Sequence, residues 1–169
     1  MHRRNTVIAV CWVFGIVLIL SAGVAVAQDA GDGAVSDAGM TQADLERIAW
    51  EEGAHAEGLE GLVQFVYNDV PMLMLSDPTF DRMRIIAPIM EQVDMTQRQM
   101  MTIIEANFEA TLDARYATNN GILYAAYIHP LGPLTREQVI SGMRQVSALV
   151  LNFGGSYSSD EISYLQSQQ

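Results

Sequence analysis

Residues 61–76, Gly-Leu-Val-Gln-Phe-Val-Tyr-Asn-Asp-Val-Pro-Met-Leu-Met-Leu-Ser, decide the fold. Two apolar runs, 61–67 and 70–76, flank Asn68-Asp69, a pair that tolerates the positive φ angles of a tight hairpin turn. A loop of two residues sets the register, so Tyr67 opposes Val70, Phe65 opposes Met72 and Val63 opposes Met74. These side chains share one face of the sheet, and Leu62, Val66, Pro71, Leu73 and Leu75 take the other. Both faces are therefore apolar.

Downstream, Asp77-Pro78-Thr79-Phe80-Asp81 reads as a turn. Residues 82–90 supply a third strand, with Met83, Ile85, Ala87 and Ile89 alternating against Arg82, Arg84 and Ile86. Thr96-Gln97-Arg98-Gln99 is a capping box opening a helix that carries Met100, Ile103, Ile104 and Phe108. Residues 112–118 alternate again, Asn119-Asn120-Gly121 turns the chain, and residues 122–129 return as a second hairpin. Thr135-Arg136-Glu137-Gln138 is another capping box. It starts the longest helix, whose Val139, Met143, Val146, Val150 and Phe153 form a continuous stripe ended by Gly154-Gly155. Upstream, Thr41-Gln42-Ala43-Asp44 opens a short helix with Leu45, Ile48 and Ala49 on one face, before Gly53, Gly58 and Gly61. The expected architecture is one α+β domain over residues 41–160: helix, three antiparallel strands, helix, two strands, helix, around one sheet.

The rest of the chain bears on compartment. Residues 1–27 have the pattern of a signal peptide: His2, Arg3 and Arg4, then an apolar run, then Ala25-Val26-Ala27 ahead of Gln28. The rival reading is an uncleaved anchor, since residues 7–27 carry no charge and are long enough to span a bilayer. Cleavage implies a periplasmic or secreted protein, and retention a membrane-anchored one. Residues 28–40 are rich in Gly, Ala and Asp and read as a disordered acidic leader; residues 161–169 read as a flexible tail. From residue 28 onward seven arginines face 20 acids, a net −13, which opposes nucleic acid and electrostatic membrane docking. There is no lysine, and the only cysteine, Cys11, lies in the apolar leader run, so the mature chain has no thiol for disulfides, metal or catalysis.

The order of elements resembles the YbjN-like family, as do several phrases: Leu75-Ser76-Asp77-Pro78, Arg82-Met83-Arg84-Ile85, Asn107-Phe108, Leu112-Asp113-Ala114-Arg115-Tyr116, and His129-Pro130-Leu131 before Leu134-Thr135. The resemblance covers about residues 61–159. It implies the fold of the type III secretion chaperones, a surface that binds peptide or protein segments, a homodimer and no cofactor. One departure stands out: those chaperones work in the cytosol, whereas this chain carries an export pattern.

Little in the residues supports catalysis or a metal. The histidines beyond the leader are His55 and His129, the first without a second ligand at metal spacing and the second beside a turn. Asp77 and Asp81 flank a proline rather than the glycine of a calcium loop, and read as turn residues. Asp113, Arg115, Arg82 and Arg84 read as a solvated polar face, with an anion-binding arginine cluster as the minority alternative. The methionines fit either core filling or an adaptable binding surface. Three helices cannot cover both faces of such a sheet, so one apolar face is expected to meet a partner segment or a second copy. Val63, Phe65, Met72 and Met74 are the first candidates for that partner-binding patch, and Leu62, Val66, Leu73 and Leu75 the alternative. The expected function is a non-catalytic protein- or peptide-binding module; the alternative is a structural envelope component whose apolar face serves only self-assembly.

Overall fold

The computed structural model describes residues 39–159. The expected signal peptide, the leader up to residue 38 and the tail lie outside the described residues. Gly39 and Met40, assigned to the leader, are within them: the Met40 N–H donates to the Gly132 carbonyl at 2.9 Å, and its side chain packs against the core.

Three helices and six strands follow in the order α1 (Gln42–Glu52), β1 (Ala54–Leu59), β2 (Leu62–Tyr67), β3 (Val70–Asp77), β4 (Arg82–Glu91), α2 (Gln97–Glu109), β5 (Arg115–Asn119), β6 (Ile122–His129) and α3 (Arg136–Leu151). All strands are antiparallel in one sheet of order β1-β2-β3-β4-β6-β5. The class and the helix positions are those expected from the sequence. Each helix begins at the anticipated threonine, and in each the threonine hydroxyl and the side chain three residues on, Asp44, Gln99 or Gln138, exchange reciprocal capping bonds.

The first hairpin has the predicted register, Tyr67 to Val70, Phe65 to Met72 and Val63 to Met74. Asn68 and Asp69 both adopt positive φ, 48° and 61°, the geometry whose twist matches that of the flanking strands. Asn120 and Gly121 do the same in the second hairpin.

Five strands were expected, and the sheet has six among the described residues. The additional strand, β1, is short and bulged, with His55 at φ 53°. It escapes the period-two reading because its side chains bury little; the ladder to β2 holds it instead. Gly58 is required there, since a Cβ would come within 2.1 Å of the Leu62 carbonyl oxygen.

The core lies between the sheet and the pair α1 and α3. Leu45, Ile48 and Ala49 of α1, and Val139, Met143, Val146 and Leu149 of α3, meet Val63, Phe65, Met72, Met74, Met83, Ile85, Leu123 and Tyr127 from the strands. Leu149 reaches the deep position along α3, while Val150 is only partly buried. Close approach of α3 depends on Gly142, where an added Cβ would meet the Tyr127 ring at 2.8 Å. Buried Gln145 fastens the same helix to the segment before β5, its Oε1 accepting from the Asp113 and Ala114 N–H groups at 2.8 and 2.9 Å. Asp113 therefore lies in a loop, not on the strand that was expected to present it beside Arg115.

Candidate functional site

Val63, Phe65, Met72 and Met74 do share a face, but it is the covered one. They are 1–2% exposed beneath α1 and α3. This corrects the expectation that they form a surface patch. The physical reason is that both helices carry their apolar stripes to this side, where branched residues and Gly142 allow close packing. The methionines here fill the core.

Among the described residues no helix covers the opposite face. Leu62 is exposed, Val66, Leu73 and Leu75 are half-buried, and Ile86 and Tyr124 beside them are likewise only partly covered. Register aligns one row across five strands: Leu59, Leu62, Leu75, Arg84 and Ile128, each directly opposite the next. Leu59 is 79% exposed and Ile128 is exposed as well. The alternative set of candidate residues thus lies on accessible surface, and the pleat that buries Met72 and Met74 is what turns Leu73 and Leu75 outward.

A second uncovered surface was not foreseen. The sequence gives α2 an apolar stripe of Met100, Ile103, Ile104 and Phe108, yet only Ile103 of these is buried, together with Ala106. Met100, Met101 and Ile104 are exposed, and Phe108 is 91% exposed. The helix packs along β5 through a polar clasp: Asn107 Oδ1 accepts from the Tyr116 N–H at 2.8 Å, and Nδ2 donates to the Tyr116 carbonyl at 3.0 Å. Below that clasp the Tyr116 hydroxyl donates to the Leu149 carbonyl at 2.8 Å, and burial pushes the phenol's pKa well above its ordinary value. The signal for α2 was an excess of apolar residues over what one helix face needs to bury.

Charge divides by face. On the helix side, Arg136 pairs with Glu51 at 2.6 Å and with Glu52 at 2.5 Å, and Arg47 pairs with Asp44 at 2.9 Å and Glu51 at 3.2 Å. The Arg136 hydrogen bond holds the Glu51 carboxyl below its usual range, and the Thr41 hydroxyl does so for Asp44. Among the described residues no other ion pairs occur, so Arg82 and Arg84 on the open face form none, although Asp77 stands opposite Arg82 in the register.

The polar residues weighed for chemistry hold turns. Asp77 Oδ1 accepts from the Thr79 and Phe80 N–H groups, and Asp81 Oδ1 accepts from the Gly132 N–H at 2.6 Å. His129 stacks on Tyr127, and its Nδ1 donates to the Pro130 carbonyl at 2.8 Å. His55 sits at the β1 bulge.

No family model matches the chain, and no curated protein matches it. Solved structures do. The chain is similar to the Yersinia pestis type III secretion chaperone SycH, solved in complex with a stable fragment of YscM2, with 14% identity and a TM-score of 0.51 over 66% of this chain and 98% of that one. It is similar too to a chain of the ExsC-ExsE complex, with 14% identity and a TM-score of 0.50 over 66% of this chain and 91% of that one. The fold is that of the type III secretion chaperones, the one implied by the resemblance read in the sequence.

Proposed function

We propose that this chain is an exported, non-catalytic YbjN-like module that binds segments of other proteins on its open sheet face and pairs with a second copy through α2. The observation that carries the reading is the row from Leu59 to Ile128, four aliphatic side chains with Arg84 among them, on a face that α1 and α3 leave uncovered. Soluble domains rarely leave contiguous apolar area without a use. Complexes of SycH with a YscM2 fragment and of ExsC with ExsE support a protein partner for a fold of this kind.

Pairing through α2 draws support from its own pattern. Met101, Ile104 and Phe108 recur at helical spacing, with Arg98 before them and Glu105 and Glu109 beside and after. In an antiparallel pair about a two-fold axis, Arg98 of one copy meets Glu105 and Glu109 of the other. Support for export comes from the charge, apolar run and small-x-small site of residues 1–27, and intact mass of the protein from its host is expected to lack them.

The second reading, an envelope component that only self-assembles, is favoured by the exposure of Phe108. Light scattering combined with apolar-dye binding separates the two. A dimer that still binds dye leaves the sheet face open for segments. A dimer that binds none has sealed it and supports assembly alone.

A further inference from the structure

Next to the apolar row, Gly61, Leu75, Asp77, Phe80, Arg82 and Arg84 surround a cleft of about 370 Å³. Half-buried Leu75 lines it together with Phe80, an aromatic residue 73% exposed on the turn after β3. Arg82 and Arg84 stand on the open face of β4, opposite Asp77 and Leu75. Arg82 donates once, to the Asp81 carbonyl at 2.7 Å, which leaves most of its five donors free. The Arg84 side chain makes no hydrogen bond or ion pair among the described residues, its backbone being in the ladder. The carboxylate in the cleft, Asp77, already caps the following turn through Oδ1.

Arg98, Arg115 and Arg144 likewise enter no ion pair among the described residues, so what marks Arg82 and Arg84 is their place, side by side on one strand at the cleft. They stand beside Leu75 on a face that carries Leu62 and Ile128 at either side. Along a strand they are separated by roughly 7 Å, the repeat of alternate residues in any extended chain.

Resting on the segment-binding reading above, we infer that this cleft selects extended protein segments carrying two carboxylates two positions apart among aliphatic residues. The carboxylates meet Arg82 and Arg84 in charge-assisted pairs, and the flanking aliphatic side chains lie on Leu75 and Phe80. The net −13 of the chain from residue 28 repels highly charged polyanions at a distance, so the segment is locally acidic and otherwise apolar, and nucleic acid is disfavoured.

The test uses the purified protein and short blocked peptides that alternate leucine with serine, in which two successive leucines are replaced by aspartate, by asparagine or by lysine, so that these groups share a face with the remaining leucines. The aspartate peptide is expected to bind about tenfold more tightly than the asparagine one, and the lysine peptide more weakly than either. The double variant R82Q/R84Q should lose that order while keeping its melting temperature. Equal affinity for all three peptides, or an order unchanged in R82Q/R84Q, overturns this inference and leaves segment binding intact. Binding of none of them overturns segment binding and this inference with it. Tighter binding of a single-stranded oligonucleotide than of the aspartate peptide overturns the choice of a peptide.

Discussion

The side-chain amide of Asn107 forms with the backbone of Tyr116 both hydrogen bonds that a neighbouring strand would form, accepting from its N–H at 2.8 Å and donating to its carbonyl at 3.0 Å. A residue of α2 thereby caps the outer edge of β5. An unpaired edge invites further strands, and covering it is one way sheet proteins avoid such pairing. The clasp also explains how α2 stays on the domain while burying only Ile103 and Ala106.

Replacing Asn107 by Ala removes both bonds at once. The expected cost is about 1–3 kcal/mol, since the half-buried Tyr116 backbone groups lose their partners. Thermal unfolding measures that loss, and hydrogen exchange should rise in α2 and β5 ahead of the rest of the sheet. A variant with unchanged exchange in α2 would mean that Ile103 and Ala106 alone hold the helix.

The double variant M72S/M74S is expected to collapse in stability, because both methionines are core residues and large-to-small core changes cost about 2–5 kcal/mol each. Leu75→Ser on the opposite face of the same strand should cost far less, about 1 kcal/mol. Chemical denaturation of the two proteins side by side reads the difference and identifies the covered face.

Gly142→Ala poses helix propensity against packing. Alanine is favoured in a helix by about 1 kcal/mol. Its Cβ would nevertheless stand 2.8 Å from the Tyr127 ring, and overpacking of this kind costs about 1–3 kcal/mol. The expected result is a net loss of stability in denaturant midpoint. A gain would show that α3 can slide away from β6 without penalty.

Much of this architecture was legible in the residues, and the parts that were not have identifiable causes. Asn68-Asp69 set the first hairpin because two positive-φ residues leave one register. Thr41, Thr96 and Thr135 marked helix starts because capping is a local interaction. The choice of sheet face was not local. Both faces of β2 and β3 are apolar, and what decides between them is how α1 and α3 pack, including the space left by Gly142. Strand β1 lacks a buried side-chain pattern and so leaves no period-two signal, and the apolar residues of α2 follow the same periodicity whether buried or exposed, so spacing alone does not tell which it is. Asn107 was visible within a family phrase, but its role as the partner of Tyr116 needed the fold.

Acid stability should depend on the carboxylates held by Arg136 between α1 and α3 and by the Thr41 cap of α1. Glu51 and Asp44 have folded-state pKa values below their ordinary ones. Their contribution is therefore fully present above the unfolded carboxylate pKa, about 4, and is lost as pH falls through the lowered folded values. Glu51→Gln is expected to lower stability modestly at neutral pH and to converge with the parent protein as pH falls below that value, so that its acid limb is shallower. Melting temperature against pH for both proteins checks this, and an identical acid limb would assign the acid sensitivity to other carboxylates.

The central claim, that the open sheet face receives a partner segment while α2 pairs two copies, is tested most directly by binding isotherms of a fluorescent alternating leucine–serine peptide carrying two aspartates, measured on the Leu75→Asp and Phe108→Asp variants. Leu75→Asp should remain dimeric and folded yet lose peptide affinity by about tenfold or more, because it places a carboxylate in the apolar row beside Arg84. Phe108→Asp should become monomeric and bind the peptide as the parent protein does. Undiminished affinity in Leu75→Asp, or loss of peptide binding in Phe108→Asp alone, would contradict the assignment of the two surfaces.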